Sequence, residues 1–287
     1  MINYNTLENI DIEKLHSTFV EAFSDYEVKL DMSISMLDQH LQKTGYTPKA
    51  SICASDDDML VGFLLNSIRQ WDEKLTAYDT GTGVIKEYRN KGISSNMFLK
   101  ALQSLKEMEI KQYLLEVIQS NTPAIQLYEK QGFKVSREFE CFNLDKKLFT
   151  HKPTYEVEYI DSFTENDWIQ LTEFWDFKPS WQNSIDSINT VPDTFTYSIV
   201  RINDAIVGYG IIDKKTGVIP QIAVDKKYRG IGIGTSIFAE LLLSTQSHNI
   251  SVVNVDSQCT SMKNFLLELG FKEMVKQYEM VFELSQI

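Results

Sequence analysis

Cysteine is scarce in this chain: Cys53, Cys141 and Cys259 are the only three in 287 residues, far apart and odd in number. No CxxC or Cys/His spacing joins them, so they read as buried reduced thiols, neither a zinc site nor a disulfide framework. The four histidines, His16, His40, His151 and His248, lack metal-ligand spacing too and read as surface or packing residues. No apolar run approaches the roughly 20 residues that span a bilayer, so no membrane partner is expected. The start, MINYNTLENIDIEKL, lacks a basic region followed by an apolar one, and a cytoplasmic protein is expected. Positive charge is short as well, with 28 Lys and Arg against 40 Asp and Glu and a net charge of −12. That disfavours nucleic acid, whose phosphates need clustered Lys and Arg, and fits a small cationic partner or simple solubility. What the chain does have is 43% hydrophobic and 11% aromatic residues, ample for a core.

The chain is written twice. YRNKGISSNMF at 88–98 parallels YRGIGIGTSIF at 228–238, so Arg89 and Arg229 stand 140 apart. LYEKQGFK at 127–134 parallels FLLELGFK at 265–272, so Gly132 and Gly270 stand 138 apart. Two matches at nearly one offset indicate two copies of one fold, 1–150 and 151–287, divided near KLFTHKPTY.

Each copy has the same order of patterns. The first predicts helices over 12–23 and 34–43, the latter stopped by Gly45. Strand runs ASICAS, MLVGFLLNSIRQW and KLTAYDTGTGVI follow, with turns at Asp56–Asp58 and Trp71–Lys74. Then come the glycine loop, helix SSNMFLKALQSLKEM and strand YLLEVIQ. A short helix, TPAIQLYEKQG, has Thr122 as its cap and Pro123 at its first position, and strand FKVSREFECFNLD closes the copy. The second copy predicts helices near 164–177 and 181–190, strands FTYSIVRI, AIVGYGIID and GVIPQIAV, then the same loop–helix–strand–helix–strand series. The fold class is α/β with a mixed (α+β) sheet in each copy: antiparallel hairpins, then one crossover.

The glycine loop excludes two common ligands by spacing. No Lys-Ser/Thr follows the glycines, as a P-loop demands. The loop comes late, after antiparallel strands, whereas a dinucleotide fingerprint sits on the first strand of a βαβ unit. A glycine loop entering a helix points amides at one spot and adds the helix dipole, which makes a pyrophosphate site, or else a tight turn for close packing. Lys86, Arg89 and Lys91 make the first loop basic, as Lys226, Lys227 and Arg229 make the second.

The pattern Arg-x-x-Gly-x-Gly/Ala, followed by Asn-x-x-Ala-x-x-Leu-Tyr-x-x-x-Gly-Phe, resembles the GCN5-related N-acetyltransferase (GNAT) family. The first copy carries Arg89, Gly92 and Ser94, then Asn121, Ala124, Leu127, Tyr128, Gly132 and Phe133; the second carries Arg229, Gly232, Gly234, Gly270 and Phe271. The resemblance implies a tandem acetyl-coenzyme A-dependent N-acetyltransferase. The cofactor would lie along the strand ends Gly83, Val84, Ile85 and Ala223, Val224. Its pyrophosphate would lie on loop amides of Arg89, Asn90, Lys91, Gly92, Ile93 and Ser94, and of Arg229, Gly230, Ile231, Gly232, Ile233 and Gly234, with Asn121 positioning it. Ser94 departs from the usual Gly or Ala and tightens the approach to phosphate.

Acetyl transfer to an amine needs a base, because an amine of pKa about 10.4 is protonated at pH 7. It needs donors for the oxyanion, which amides near Gly83 and Val84 can supply. It also needs a proton for the leaving thiolate. The resemblance makes Tyr128 the acid. Glu116, in LLEVIQSN, is the base implied by likeness to ribosomal-protein N-terminal acetyltransferases, and Asp79 is a second candidate base. A core role for Tyr128 and a structural pairing of Glu116 are the competing readings. The second copy has Leu266, Asn254 and Cys259 where Tyr128, Glu116 and Asn121 stand, so it is expected to be structural or only cofactor-binding. Tyr197, Tyr209 and Asp213 are its possible replacements. Trp168, Trp175 and Trp181 form an aromatic wall over an acceptor, or Trp168, Leu171 and Trp175 form a helix core face, and Asp25 and Glu27 either attract an amine or form a solvated turn. No activated Cys or Ser nucleophile is evident, so transfer is expected to be direct. The acceptor is a small-molecule or peptide amine: a polyamine, an aminoglycoside-like amine or a basic peptide terminus. The competing class is a coenzyme A-binding or scaffolding protein, and a longer acyl donor is a further alternative.

Overall fold

The computed structural model describes residues 1–25 and 32–284; Glu27 lies outside the described residues. The chain forms two compact units, and a single cut at 150 does not separate them. One comprises Met1–Val117, Asn121–Ser136 and the chain from Glu279 onward; the other comprises Ile118–Ser120 and Arg137–Tyr278. Residues from Glu279 onward thus complete the first unit, and residues from the first half of the sequence complete the second.

In the first half the elements are β1 (Ile2–Thr6), α1 (Ile12–Ala22), α2 (Ile34–Thr44), β2 (Ile52–Asp56), β3 (Met59–Trp71), β4 (Lys74–Val84), α3 (Ile93–Glu107), β5 (Gln112–Ile118), α4 (Thr122–Gln131) and β6 (Lys134–Asp145). In the second half they are β7 (Glu158–Ile160), α5 (Glu165–Thr172), α6 (Ile185–Thr190), β8 (Phe195–Ile202), β9 (Ala205–Asp213), β10 (Gln221–Val224), α7 (Ile233–Ser244), β11 (Asn249–Asp256), α8 (Thr260–Glu268) and β12 (Lys272–Glu283).

Strands β1 to β4 pair antiparallel in sequence order, and β5 joins β4 in parallel. The hairpin turns use left-handed residues, Asp57 after β2 and Asp72-Glu73 after β3. Helix α1 buries Leu15, Phe19 and Ala22 at helical spacing, and α3 buries Ile93, Met97, Phe98, Ala101 and Leu105. Phe98, Tyr113, Phe133 and Phe282 form an aromatic core, with Phe133 and Phe282 ring centroids 5.4 Å apart. In the second unit β7, β8, β9 and β10 form a four-stranded antiparallel sheet, and β11 pairs antiparallel with β6. Helix α7 packs Ile233, Ile237, Phe238 and Leu241 into one core; Phe163, Trp168, Tyr197 and Tyr209 lie in another.

The structure shortens or adds elements where local pattern misleads. The run GVIPQIAV is a strand only from Gln221, because Pro220 has no N–H and the chain bends there. The helix expected over 164–177 stops at Thr172; the Thr164/Asp167 capping box starts it, and Trp175 lies beyond its end. The cap of α4 is Asn121, whose Oδ1 accepts the Ala124 amide at 3.3 Å; Thr122 is already helical. The edge strands β1 and β7 carry only three to five residues, and pairing rather than propensity creates them.

What positions the site is a divergence of strands. β4 pairs with β5 only from Thr76–Gln112 to Asp79–Leu115. A bulge then leaves Thr80 as the extra residue opposite Leu65 and Asn66, and the rest of β4 leaves β5. The second unit repeats this: a parallel bridge joins Val218 to Ser251, the Ile219 amide donates to the Ser251 carbonyl at 2.8 Å, and after Pro220 strand β10 pairs with β9 alone.

Candidate active site: two glycine loops and two clefts

Each diverging strand runs into a loop built for left-handed backbone. Asn90 and Gly92 have φ of 60° and 76°; Gly230 and Gly232 have 76° and 96°. A Cβ on Gly92 or Gly230 would meet nothing within 4 Å, so conformation rather than space demands these residues, and the loop face is open. The first i→i−4 bonds run from Asn96 to Gly92 and from Ser236 to Gly232, both at 3.0 Å. The preceding amides, Gly92 to Ser95 and Gly232 to Thr235, therefore lack helical acceptors and, with the helix dipole, form an anion cradle. Ile85, Ile93 and Ile233 bury their side chains, so only main-chain groups of these residues can face a ligand.

The loop arginines are committed elsewhere. Arg89 donates from Nε to the Val84 carbonyl (3.0 Å), from Nη2 to the Ala22 carbonyl (2.7 Å), and from Nη1 and Nη2 to Asp25 (2.8 Å each). Arg229 copies this with the Val224 carbonyl (2.9 Å), the Phe174 carbonyl (2.8 Å) and Asp176 (2.7 Å). Both guanidiniums thus tie the loop to the end of a preceding helical segment. This also answers for Asp25, which holds Arg89 and is kept below the usual carboxylate range by that hydrogen bond.

Strand alternation decides which amides face the clefts. Ile85 donates to Val61, and Asp225 to Val207. Gly83 and Ala223, two residues earlier, point the same way, so the Val84 and Val224 amides point into the divergence. Gly83 has a packing reason instead, since a Cβ there would lie 2.6 Å from Phe63.

The two clefts differ. In the first unit, Asp79, Thr82, Ser94, Tyr113, Tyr128 and Phe133 line a void of only about 10 Å³, at most one water. In the second, the walls are Ile219 to Val224 on one side and Val252 to Val255 on the other. The loop residues Gly230, Gly232 and Gly234 stand at the end, and the cavity is about 440 Å³, within the range of ligand pockets. Ser251 and Leu266 take the sequence places of Tyr113 and Tyr128, which removes two phenol rings. Gly234 is needed because Phe265 comes within 3.1 Å of a Cβ there; in the first unit Ser94 faces the smaller Leu127.

The profile described as Acetyltransferase (GNAT) family matches residues 12–133, and that described as Acetyltransferase (GNAT) domain matches residues 171–281. An N-alpha-acetyltransferase from Saccharolobus solfataricus is 31% identical over 116 residues, covering 37% of this chain and 68% of that protein. The chain belongs to the GCN5-related N-acetyltransferase family. Among solved folds, a tandem GNAT protein from the clavulanic acid biosynthesis pathway superposes with a TM-score of 0.75 at 13% identity, covering 99% of both chains. A GNAT protein from Sphaerobacter thermophilus gives 0.73 at 13% identity, covering 99% of this chain and 96% of that one.

In this GNAT chain the first cleft brings together two of the three acid–base candidates. Tyr128 and Asp79 both line it, and Tyr128 packs edge-on against Phe133 at 5.7 Å. The Asp79 carboxylate accepts the Gly81 amide (3.0 Å) and the Thr82 hydroxyl (2.7 Å), and burial pushes it up to about 6. Glu116 follows Leu115, which lines the cleft, so on a strand it faces the opposite side of β5. Asn121 spends its side-chain oxygen as the α4 cap.

In the second unit, Asn254 is a fastener and no base. It sits at φ 61° in a bulge of β11, donates to Ser180 Oγ (2.9 Å) and accepts from Gln277 (3.1 Å). Asp213 accepts the Lys215 and Thr216 amides (2.9 and 2.8 Å) in a turn. Tyr197 is buried against Phe163. Tyr209 does line the cavity, yet its hydroxyl is bound between Trp175 Nε1 (2.6 Å) and Gln221 Oε1 (2.7 Å), and burial pushes it well above the ordinary phenol value. The tryptophans divide: Trp168 is core, and Trp175 is cavity wall. Asn183 and Gln221, which also line the cavity, carry no motif signal; only the folded chain brings them to β11.

Proposed function

We propose that this GNAT protein is an acetyl-coenzyme A-dependent N-acetyltransferase that moves an acetyl group directly to a primary amine. The observation that carries the reading is the repeated geometry. In each unit a strand leaves its parallel neighbour just before a loop whose amides start a helix. A pantetheine arm would lie along such a divergence, already open in the second unit and widened on binding in the first, its pyrophosphate on the loop amides and its thioester carbonyl near the Val84 or Val224 amide.

The units divide the work. The first holds the proton-transfer groups. Asp79, titrating at about 6, takes the ammonium proton, and Tyr128 gives one to the departing thiolate. The second holds a preformed cavity that takes a donor molecule of its own. The net charge of −12 favours encounter with cationic amines. A second reading makes the second unit the working copy, favoured by its 440 Å³ against 10 Å³.

Calorimetric titration with acetyl-coenzyme A, paired with thiol release over an amine panel, tests this. Two sites of unequal affinity are expected. Ala223→Trp should remove the tighter site and leave turnover, and Tyr128→Phe should do the reverse. Turnover lost in Ala223→Trp and kept in Tyr128→Phe assigns the chemistry to the second unit. Binding without thiol release from any amine makes the protein a coenzyme A binder.

A further inference from the structure

A residue in the wall of the second unit's cavity carries a buried acceptor atom with no donor. Asn183 ends a 3-10 turn, Trp181–Asn183, and is 3% exposed. Its Nδ2 donates to the Val253 carbonyl at 2.9 Å, at the β11 bulge. A carbonyl only accepts, so this bond fixes the amide's orientation and turns Oδ1 away from Val253. Among the described residues Oδ1 has no hydrogen-bond partner, and Asn183 lines the cavity.

The turn cannot easily move to relieve it. The Asn183 carbonyl accepts Gln221 Nε2 at 2.7 Å, Gln221 Oε1 accepts the Tyr209 hydroxyl at 2.7 Å, and that hydroxyl accepts Trp175 Nε1 at 2.6 Å. Asn254 Nδ2 holds Ser180, beside the turn, at 2.9 Å. A buried carbonyl on a fixed frame needs a donor. The surroundings set the donor's charge. Of the lining carboxylates, Asp176 is engaged by Arg229 (2.7 Å) and Ser261 (2.7 Å), and Glu268 is exposed. An ammonium would find no free carboxylate in the interior, whereas an uncharged amide would find its acceptor.

We infer that Asn183 Oδ1 receives an uncharged amide N–H from a ligand in this cleft, making Asn183 a specificity-determining residue. This rests on the reading that the cleft takes a ligand of acyl transfer. The amide could belong to the pantetheine arm or to an amide-bearing acceptor, and the test separates them.

Coenzyme A is titrated by calorimetry into the full chain, as wild type, Asn183→Ala and Asn183→Asp. Leucinamide and leucine methyl ester, alike except for the amide N–H, are titrated into the same proteins with coenzyme A present. Both variants lose the bond to Val253; only Asn183→Ala loses the acceptor. A pantetheine source predicts coenzyme A affinity at least fivefold weaker in Asn183→Ala and within twofold of wild type in Asn183→Asp. An acceptor source predicts unchanged coenzyme A affinity, with a wild-type preference of at least fivefold for leucinamide that alanine erases and aspartate keeps. Equal losses in both variants assign the effect to the Val253 fastening and overturn the inference, as does no change in either arm. Wild-type chain that binds no coenzyme A refutes the functional reading instead; the leucinamide pair, titrated alone, then decides the subsite. Melting curves check folding, and Asn183→Leu replaces an unfolded alanine variant.

Discussion

Replacing Arg229 by methionine separates a loop brace from a phosphate ligand. The substitution keeps much of the apolar stem and removes three bonds: to the Val224 carbonyl, the Phe174 carbonyl and Asp176. The two bonds to carbonyls are worth about 1 kcal/mol each net of water. The ion pair adds about 0.5 kcal/mol, because the side chains are 32% and 27% exposed and solvent screens them. The expected loss is about 2.5 kcal/mol, which lowers the melting temperature of the second unit by about 5–10 °C. A brace predicts this shift, with coenzyme A affinity within about threefold of wild type below the transition and an unchanged salt dependence. Differential scanning calorimetry and titration at two salt concentrations provide the readouts. Melting unchanged, with affinity down tenfold and a shallower salt dependence, would refute the assignment and return the guanidinium to the phosphates. There is a pH signature as well. Burial raises Asp176, but hydrogen bonds from Ser261 and Arg229 outweigh it and hold the group below the usual carboxylate value. A depressed carboxylate stabilises the fold above its unfolded pKa, and that contribution is lost as pH falls through the folded one. In Arg229→Met this acid loss should begin at higher pH.

Tyr128→Phe should lower kcat at least tenfold with little change in acetyl-coenzyme A affinity; an unchanged kcat in steady-state assays removes Tyr128 from the mechanism. With Asp79 as base, kcat/KM should rise as pH passes about 6, and Asp79→Asn should abolish that limb. The same raised carboxyl binds its proton more tightly in the folded chain, so its contribution to stability falls as pH rises from about 4 to about 6. Denaturant titrations across that range should show the decline in wild type and a flatter profile in Asp79→Asn. Gly234→Ala places a Cβ 3.1 Å from Phe265 at ordinary helical φ, so it should cost about 1–2 kcal/mol by urea titration, with Phe265→Leu relieving it.

The repeat, the element order and the left-handed glycine loops were legible in the sequence because each rests on local chemistry. Glycine or asparagine is needed at φ 60° to 96° at Asn90, Gly92, Gly230 and Gly232. Helical periodicity marks α1 and α3, a continuous apolar run marks β3, and Pro123 and Gly132 bracket α4. Local pattern was a poorer guide where pairing decides: β1 and β7 exist because a neighbouring strand accepts them, and the loss of one N–H at Pro220 ended a run that read as continuous.

The family, the fold class and the likeness of the two copies were determined by the sequence alone, through side chains whose roles depend on near neighbours in the chain. Tertiary structure decided which cleft is open, because that depends on side chains converging from separate strands and helices: the rings of Tyr113 and Tyr128 fill one, and residues such as Ile219, Val252 and Phe265 line the other. It also decided that Arg89 and Arg229 brace their loops, and that Asn183 meets Val253 with one oxygen to spare. A hydrogen bond between residues 70 apart leaves no trace in local pattern; it appears only when the fold brings donor and acceptor together.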